Sequence, residues 1–279
     1  MPTAWSPADP DRYVGRWAID DAGETITTPA SRLVPGTRLG RPVMLKVARI
    51  EEEARGARVL AWWNAVAGSS PHARDSGAAP VLEIDDHAVL LERADDPGRL
   101  ARLSAEGRDD EATAILCDVV ARLHAAPVAE APAEALPLDA WFAGLIEAPA
   151  GSLPTSLARG AARARDLLAA TTPDEVRVLH GDVHHGNVLR FGERWLAIDP
   201  KGLLGHRAFD LANLFCNPTT GIAVESFERR LGIVAERSGL DPRLLREWVL
   251  AWCALSAAWT REAGSEPWTP QALLESYDR

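Results

Sequence analysis

The chain has 279 residues, of which 47% are hydrophobic and 25% are charged, and both values are ordinary for a folded globular protein. Its 40 acidic and 30 basic residues give a formal net charge of −10, which argues against a nucleic-acid partner because such a partner requires a basic surface. The most apolar stretch, residues 248–259, is too short to cross a bilayer and is typical of a buried helix. We therefore expect a globular protein without a membrane partner.

The cysteines are too few and too far apart to build a disulfide framework. Cys117, Cys216 and Cys253 are odd in number and form no CxxC pair, so a cysteine zinc site is not expected either. The first residues lack the basic start and apolar run of a signal peptide. These features are consistent with a reducing, cytoplasmic location, which we expect for this protein.

Residues 1–93 are predicted to form a small β-rich domain that contains one helix. Period-two alternation and turn residues predict its strands, which are expected at residues 23–27, 31–34, 43–47, 79–84 and 87–93. The sequence PGTRLGRP is predicted to form the turn between the second and third strands. Residues 51–63 begin with three acidic residues and continue with helically spaced apolar residues, which predicts a helix.

From residue 94 onward the chain is predicted to be mostly helical. Helices are predicted at residues 110–126, where apolar residues recur at helical spacing, and at residues 137–147 and 156–170. Another helix is predicted at residues 241–262, because Asp241 and Pro242 are a typical N-cap and first-turn pair. Three short strands are predicted between the helices, at residues 177–179, 188–191 and 194–198. The sequence HGDVHHGN follows the first of these strands and DPKG follows the third. We therefore predict two domains, residues 1–93 and 94–279, with polar loops converging in the second.

The loop LHGDVHHGN, residues 179–187, carries the spacing of a phosphoryl-transfer site. Asp182 and Asn187 are five positions apart, as are the catalytic base and a metal ligand in the catalytic loop of protein kinases. Asp199 lies twelve positions beyond Asn187 and directly follows the apolar strand RWLAI, where a second metal ligand is expected. Oxygen ligands from Asn187 and Asp199 suit Mg²⁺, which keeps its other positions for water and phosphate.

The same loop admits a second interpretation, a zinc site made by His180, Asp182, His184 and His185. Their order, H-x-D-x-H-H, differs from the H-x-H-x-D-H pattern of dinuclear metallohydrolases, and few other histidines remain to complete such a site. The zinc interpretation also leaves the kinase-like spacing unexplained. For His180 and His185 individually, we expect a structural role in holding the turn.

Lysine is rare in this chain, which makes its positions informative. Only Lys46 and Lys201 are lysines, so 30 − 2 = 28 basic residues are arginine, and the two positions are candidates for a role that requires a compact ammonium group. Lys46 ends a predicted strand and precedes the acidic start of a helix, as does the phosphate-binding lysine of kinases. We predict Glu53 as its partner because the next turn on that helix face is small and apolar, with Glu52 as the second candidate.

These motifs together resemble one family of small-molecule kinases. The segments VLHGDVHHGNVL, WLAIDPKGLLGHRAFDLANLFCNP, VMLKV followed by EEARG, and AVLLER are similar to the aminoglycoside/hydroxyurea phosphotransferases, which include streptomycin 6-phosphotransferases. The resemblance implies an α+β, two-lobed protein-kinase-like fold with a small β-rich N-lobe and a larger, mostly helical C-lobe. It also implies ATP-dependent phosphorylation of a hydroxyl group on a small molecule, with ATP and Mg²⁺ as the cofactors.

The resemblance assigns roles to individual residues. A catalytic role is implied for Asp182, and Mg²⁺ binding is implied for Asn187 and Asp199. Lys46 is implied to bind the ATP phosphates. Asp210, in the segment FDLANL, is expected to brace the catalytic loop by hydrogen bonds rather than to touch the substrate.

On the nucleotide side, the resemblance implies that the backbone leading to Glu92 and Arg93 holds adenine. The chain departs from protein kinases here, because no glycine triplet covers the phosphates and the segment TTPASR, residues 27–32, stands in that place. Thr28 and Ser31 are candidates to offer hydroxyl or backbone N–H donors to the nucleotide.

A second departure concerns the charge beside the transferred phosphoryl group. His184 stands two positions past Asp182, where protein kinases have a lysine. Our hypothesis is that Lys201, two positions past Asp199, supplies the missing positive charge and is catalytic. Carboxylates in the helical lobe are the expected partners of a cationic acceptor, although each of the four candidates can equally be a plain surface residue: Glu225, Glu228, Glu247 and Glu262.

The sequence as a whole predicts a Mg-ATP phosphotransferase acting on a small molecule, such as a cationic aminoglycoside like streptomycin. Hydroxyurea or another hydroxylated or amine metabolite is the alternative acceptor within this class. A nucleotide-binding protein without transfer activity and a zinc-dependent hydrolase are the alternatives from other classes. The sequence leaves the oligomeric state open.

Overall fold

The computed structural model describes residues 8–68, 75–149 and 151–278. Its helices are α1 (Pro10–Arg16), α2 (Glu51–Gly68), α3 (Arg99–Ala105), α4 (Asp109–His124), α5 (Leu138–Ile146), α6 (Thr155–Ala170), α7 (Thr220–Ser238), α8 (Pro242–Glu262) and α9 (Trp268–Tyr277). Its strands are β1 (Ile26–Thr27), β2 (Ser31–Arg38), β3 (Arg41–Ala48), β4 (Val81–Ile84), β5 (Ala88–Glu92), β6 (Leu136–Pro137), β7 (Val176–Leu179), β8 (Val188–Phe191), β9 (Arg194–Ala197) and β10 (Leu203–His206).

The N-terminal lobe is an antiparallel five-stranded sheet in the order β1-β2-β3-β5-β4. Alternate residues of β3, Val43, Leu45 and Val47, are buried in a small core shared with Tyr13 of α1. Since side chains alternate across a strand, Lys46 projects from the opposite face of the sheet. The apolar face is thus covered by α1, and the other face carries a charge toward α2.

The larger lobe is mainly helical, and α8 lies at its centre. Residues from α2 and from helices α3 to α9 share one continuous apolar core. Gly160 of α6 permits the close approach of α8, because a Cβ atom there would lie 2.0 Å from the Cβ of Ala254. Two small β units, β6-β10-β7 and the β8-β9 hairpin, carry the polar loops on this lobe.

The predicted α+β arrangement of a small β-rich lobe and a larger helical lobe is confirmed. The helices predicted at residues 51–63, 110–126, 137–147, 156–170 and 241–262 correspond to α2, α4, α5, α6 and α8. Among the described residues, no helix has the length and apolarity needed to cross a membrane.

The second strand differs from its prediction. It continues past Val34 to Arg38, through the Pro35-Gly36 pair that we assigned to a turn, and the turn itself lies at Leu39 and Gly40. Proline is tolerated here because its backbone faces away from β3. The Pro35 carbonyl accepts a hydrogen bond from Gly23 on the outer side of the sheet, and N and C=O of one strand residue point the same way, so no ladder bond to β3 is lost.

Helix α1 was not predicted, although the sequence carries its signal. The Asp9 side chain caps the helix by accepting a hydrogen bond from the Asp11 N–H, and Pro10 occupies the first turn. The same Asp-Pro pair at Asp241 and Pro242 led us to predict α8. Because α1 is only about two turns long, its apolar periodicity is too short to stand out from the sequence alone.

The position of α2 against the larger lobe depends on a glycine. A Cβ atom at Gly56 would lie 1.8 Å from the carbonyl oxygen of Pro200, in the loop that follows β9. The Nε of Arg55 donates to the backbone oxygen of Lys201 in that loop, at 2.9 Å. The helix therefore packs backbone against backbone on the loop, which brings its first turn to the cleft between the lobes.

Replacing Gly56 by alanine is expected to lower the free energy of unfolding by about 1–3 kcal/mol, because α2 must move away from Pro200. In an unobstructed helix the same change stabilises by up to about 1 kcal/mol. Gly232 in α7 is the matched control, since a Cβ atom there meets nothing within 4 Å. Urea unfolding of Gly56→Ala and Gly232→Ala should give changes of opposite sign, and equal stabilisation of both variants would contradict the packing described here.

Candidate active site

Two loops of the larger lobe meet at the cleft and are held together by backbone hydrogen bonds. The first follows β7 and spans residues 180–187; the second follows β9 and spans residues 198–202. The N–H of Lys201 donates to the carbonyl of His180 at 2.6 Å, and the N–H of Ile198 donates to the carbonyl of Asn187 at 2.8 Å. These bonds fix the two loops side by side, so their polar side chains face one space.

Asp182 is oriented by two side-chain amides. The Nδ2 of Asn187 donates to its Oδ2 at 3.0 Å and to its backbone oxygen at 2.9 Å. Asn213 donates from Nδ2 to the other oxygen, Oδ1, at 2.5 Å. The Nδ2 of Asn217 in turn donates to Oδ1 of Asn213 at 3.1 Å, which keeps the Asn213 amide nitrogen facing the carboxylate. Both oxygens of Asp182 are therefore held in fixed directions.

Asn213 was not predicted from the sequence as a site residue. The only signal was its place in the segment FDLAN, three residues after Asp210, and nothing in that spacing points back to a loop about thirty residues earlier. The contact arises because Asn213 lies in a short 3-10 turn that the fold brings under the catalytic loop.

Asp210 braces the catalytic loop, as predicted. Its Oδ1 accepts the N–H of Gly181 at 2.6 Å and its Oδ2 accepts the N–H of His180 at 2.9 Å. His124 contributes a further contact, with Nε2 lying 2.8 Å from the same Oδ2. A buried carboxylate in this position satisfies backbone donors that a tight turn would otherwise leave unpaired.

The histidines of the loop hold its conformation rather than a metal. His180 donates from Nε2 to the Ile198 carbonyl at 2.8 Å and accepts the Asp182 N–H at Nδ1, which requires a neutral ring; burial lowers its pKa. His185 contacts Ser104 through Nε2 at 3.0 Å, and burial lowers its pKa to about 3. His184 accepts the Gly186 N–H at Nδ1.

The zinc interpretation is therefore wrong for the part of the chain that the structure describes. Within it, no group of three or more histidine, cysteine, aspartate or glutamate side chains lies together as a metal site requires. The side chains of His180 and His185 are turned to different partners, so the residues of the H-x-D-x-H-H pattern do not converge.

Lys46 lies at the centre of a partly buried ionic cluster. Its Nζ contacts both Oε2 of Glu53, on α2, and Oδ1 of Asp199, in the loop after β9. Burial alone would raise the pKa of Asp199, but the ammonium groups of Lys46 and Lys201 outweigh burial and lower it. The cluster thus joins the sheet, α2 and the larger lobe through ion pairs.

Lys201 joins the same cluster from the opposite side. Its Nζ lies 3.2 Å from Oε1 of Glu53 and 3.2 Å from Oε1 of Glu52. Burial would lower the pKa of Lys201, but Glu53, Asp199 and Glu52 raise it well above its usual value, so the side chain stays protonated. Glu53 therefore contacts both lysines of the chain, one with each carboxylate oxygen.

Ser31 has a different position from the one predicted. Its hydroxyl donates to Oε2 of Glu53 at 2.9 Å and its N–H donates to the Thr28 hydroxyl at 2.9 Å. As the first residue of β2, it is buried beneath the sheet, so neither donor is directed at a nucleotide. Ser31 can therefore affect nucleotide binding only through its hydrogen bond to Glu53.

The backbone N–H groups of the hinge that was predicted to bind adenine also donate to other groups of the protein. The N–H of Glu92 donates to the Pro80 carbonyl at 3.2 Å, and the N–H of Arg93 donates to the Pro42 carbonyl at 3.1 Å. The next residue, Ala94, is half-buried against an apolar cluster of Ala79, Leu189, Phe191 and Leu196. Within the described ranges, the Ala94 N–H donates to no protein group.

The donor set beside the cluster fits Mg²⁺. Because Asn187 uses its amide nitrogen on Asp182, its Oδ1 is the end left for a cation. Asp199 has a left-handed backbone (φ 62°), an uncommon conformation for a residue other than glycine, and its side chain reaches the Lys46 ammonium. An amide oxygen and a carboxylate are hard ligands of the type that Mg²⁺ prefers.

A cavity of about 480 Å³ opens beside Asp182. Polar side chains on its wall include Glu52, Asp182, Lys201 and Asn213, and three tryptophans complete it. The carboxylates considered as partners of a cationic acceptor do not line this cavity: Glu225, Glu228, Glu247 and Glu262. Two of them are paired elsewhere, Glu228 with Arg246 and Glu247 with Arg163.

Comparison with known proteins gives a consistent result. The model of the aminoglycoside/hydroxyurea antibiotic resistance kinase family matches residues 16–264. A streptomycin 3''-kinase from Klebsiella pneumoniae is 46% identical over 252 residues, which cover 88% of this chain and 89% of that protein. A streptomycin 6-kinase from Streptomyces griseus is 30% identical over 287 residues, covering 96% of this chain and 87% of that protein.

Solved structures confirm the two-lobed kinase-like fold. A thermostable mutant of aminoglycoside phosphotransferase APH(4)-Ia superposes with a TM-score of 0.62 over 95% of this chain and 98% of that chain, at 17% identity. The macrolide 2'-phosphotransferase MphH from Brachybacterium faecium gives a TM-score of 0.58 over 96% of each chain, at 17% identity. At such identities the structural likeness shows the fold, whereas the family follows from the sequence matches. The chain belongs to the aminoglycoside/hydroxyurea antibiotic resistance kinase family.

Proposed function

We propose that this protein transfers the γ-phosphoryl group of ATP to a hydroxyl group of a streptomycin-like aminoglycoside. The observation that carries the proposal is the setting of Asp182. Its carboxylate is fixed by two amides at the edge of a cavity, and the Lys201 ammonium lines the same cavity. Phosphoryl transfer needs mainly positioning and charge stabilisation, which is what this arrangement supplies.

In the proposed reaction, the acceptor hydroxyl donates its hydrogen bond to Asp182. As the hydroxyl oxygen attacks phosphorus, its proton passes to the carboxylate and ADP leaves. The amide donors of Asn187 and Asn213 stop the carboxylate from turning away from the cavity. Lys201 is the positive group nearest the acceptor, and we assign it to the charge that develops on the transferred phosphoryl group.

We assign the phosphates of ATP to Lys46, which is paired with Glu53, and the Ser31 hydroxyl donates to the same carboxylate. Asn187 and Asp199 would hold Mg²⁺ through their oxygen atoms. When bound, Mg²⁺ neutralises charge on the phosphate oxygens. For adenine, the N–H of Ala94, which bonds to no group in the described part of the chain, is a better donor than those of Glu92 and Arg93, which bond within the protein. This places the lobe boundary that we propose, residues 1–93 and 94–279, at the hinge.

Streptomycin is the acceptor that the relatives favour. The proteins with this activity in their names include one that is 46% identical, a streptomycin 3''-kinase, and one that is 30% identical, a streptomycin 6-kinase. A hydroxyurea phosphotransferase from Kitasatospora aureofaciens is 31% identical over 265 residues, covering 90% of this chain and 72% of that protein. We therefore propose phosphorylation of streptomycin at the 3'' hydroxyl.

Asp182→Asn is expected to lower streptomycin-dependent ADP release from Mg-ATP by about 10²–10⁴-fold, because the base is lost and the asparagine side chain keeps only one oxygen to accept from Asn187 or Asn213. The Kd for ATP should change little. Asp166, an exposed carboxylate on α6, gives the matched control Asp166→Asn, for which wild-type turnover is expected. Turnover of Asp182→Asn close to that of the wild type would refute the assigned role.

The phosphorylated product should carry its new phosphate on the 3'' oxygen. Coupled phosphorus–proton NMR of the isolated product tests this directly, since the phosphorus couples to the proton on the carbon that bears it. Coupling to the proton at carbon 6 would support the proposed kinase activity but contradict phosphorylation at the 3'' position. If streptomycin gives no product at all, hydroxyurea is the acceptor to test next.

Lys201→Ala should separate turnover from nucleotide affinity. We expect kcat to fall by about 10²-fold or more, as when one charge-stabilising donor is removed from an active site, while the Kd for ATP rises only slightly. Lys46→Ala should show the opposite balance, with the larger effect on ATP binding. A Lys201→Ala variant with wild-type kcat would show that Lys201 is only a surface partner of Glu52 and Glu53.

A further inference from the structure

The wall of the cavity opposite Lys201 is aromatic. Trp252, Ser256 and Trp259 lie at positions i, i+4 and i+7 of α8, so they share one face of that helix. Trp141 of α5 faces them, and its ring centroid lies 5.1 Å from that of Trp259 with the planes at 77°. Three indole rings from two helices thus surround one side of a space whose floor includes Asp182.

Trp259 differs from the tryptophans that build the core, which include Trp248 and Trp252. Trp248, one turn earlier on α8, is fully buried and packs against Phe142, Phe209 and His206. Trp259 instead is 37% exposed, although an indole is among the largest apolar groups a protein can bury. The exposed indole of Trp259, beside two others at the mouth of the cavity, is therefore placed to contact a ligand rather than to pack in the core.

The charges on the cavity wall favour a cation. Glu52 and Asp182 each carry a negative charge, and Lys201 is the one cation among the lining residues, which leaves a sum of −1. The ammonium of Lys201 is already shared between Glu52 and Glu53. Indole faces add to this preference, because a positive group over an aromatic ring is attracted by the ring quadrupole.

We propose that Trp141, Trp252 and Trp259 form a cage that holds a guanidinium-bearing ring of the acceptor, with Glu52 as its ionic partner. A guanidinium ion is flat and weakly hydrated, so it stacks on indole more readily than a compact ammonium does. The inference rests on the proposed function, because it takes the cavity beside Asp182 as the acceptor site. It predicts a preference for cationic acceptors over small neutral ones such as hydroxyurea.

The cage is tested by binding, without reliance on turnover. The probes are streptomycin and streptidine, its cyclitol with two guanidinium groups, titrated by calorimetry in the presence of a non-hydrolysable ATP analogue and Mg²⁺. Trp259→Leu keeps an apolar side chain but removes the aromatic face, and we expect the Kd for both probes to rise about 10-fold. Trp259→Phe, which keeps a ring, should stay within about threefold of the wild type.

Trp268 provides the matched control, since it is 74% exposed on α9 and lies outside the cavity. Trp268→Leu should leave both Kd values unchanged, and all variants should keep the wild-type Kd for the nucleotide. Unchanged probe binding by Trp259→Leu, or failure of the wild type to bind streptidine at millimolar concentration, would overturn the cage.

The two proposals fail in different ways. If Trp259→Leu weakens streptidine binding but the wild type transfers no phosphate to streptomycin, the cage stands and the proposed acceptor is wrong. If the wild type phosphorylates streptomycin but wild type and Trp259→Leu have equal Kd values for the two probes, the proposed function is supported and the cage is refuted.

Discussion

The buried carboxylate of Glu53 is the contact on which the arrangement of this site depends. It reaches Lys46 with one oxygen and Lys201 with the other, and the Ser31 hydroxyl donates to it as well. Removing one partner from a buried charge cluster leaves an unpaired charge, which typically costs about 3–5 kcal/mol. Glu53 therefore links the sheet, α2 and the loop after β9 through one side chain, alongside the contacts of Lys46 with Asp199 and of Arg55 with the Lys201 carbonyl.

That relation requires α2 to lie unusually close to the larger lobe. Gly56, one turn after Glu53, permits it by leaving room for the Pro200 carbonyl. The same helix presents Glu52 to the acceptor cavity and Glu53 to the lysines. Adjacent residues on one helix thus serve the two substrates of the proposed reaction, which couples the position of the nucleotide side to that of the acceptor side.

The loop that carries Asp182 is made rigid by hydrogen bonds to its backbone and to the Asp182 carboxylate. Asp210 holds the backbone on one side of the carboxylate, and the amides of Asn187 and Asn213 hold its two oxygens. Hydrogen bonds to a charged group are stronger than those between neutral groups, so this network fixes the side chain well. His180 and His185 look like metal ligands in the sequence. In the structure they stabilise the same loop through hydrogen bonds with the Ile198 carbonyl and the Ser104 side chain.

The sequence by itself determined the features that depend on local spacing. The strands of the N-terminal sheet, the five predicted helices, the loop from His180 to Asn187 and the rarity of lysine all follow from neighbours in the chain, and they sufficed to predict the fold class and the family. The protein partners of Ser31 and of the hinge N–H groups were not predicted, because a hydroxyl or an N–H has no visible partner in a sequence. Asn213 and the three tryptophans come from separate helices and turns, so only tertiary packing decides that they face Asp182. Hydrogen bonding and cavity shape are properties of distances in space, whereas the sequence records only distances along the chain.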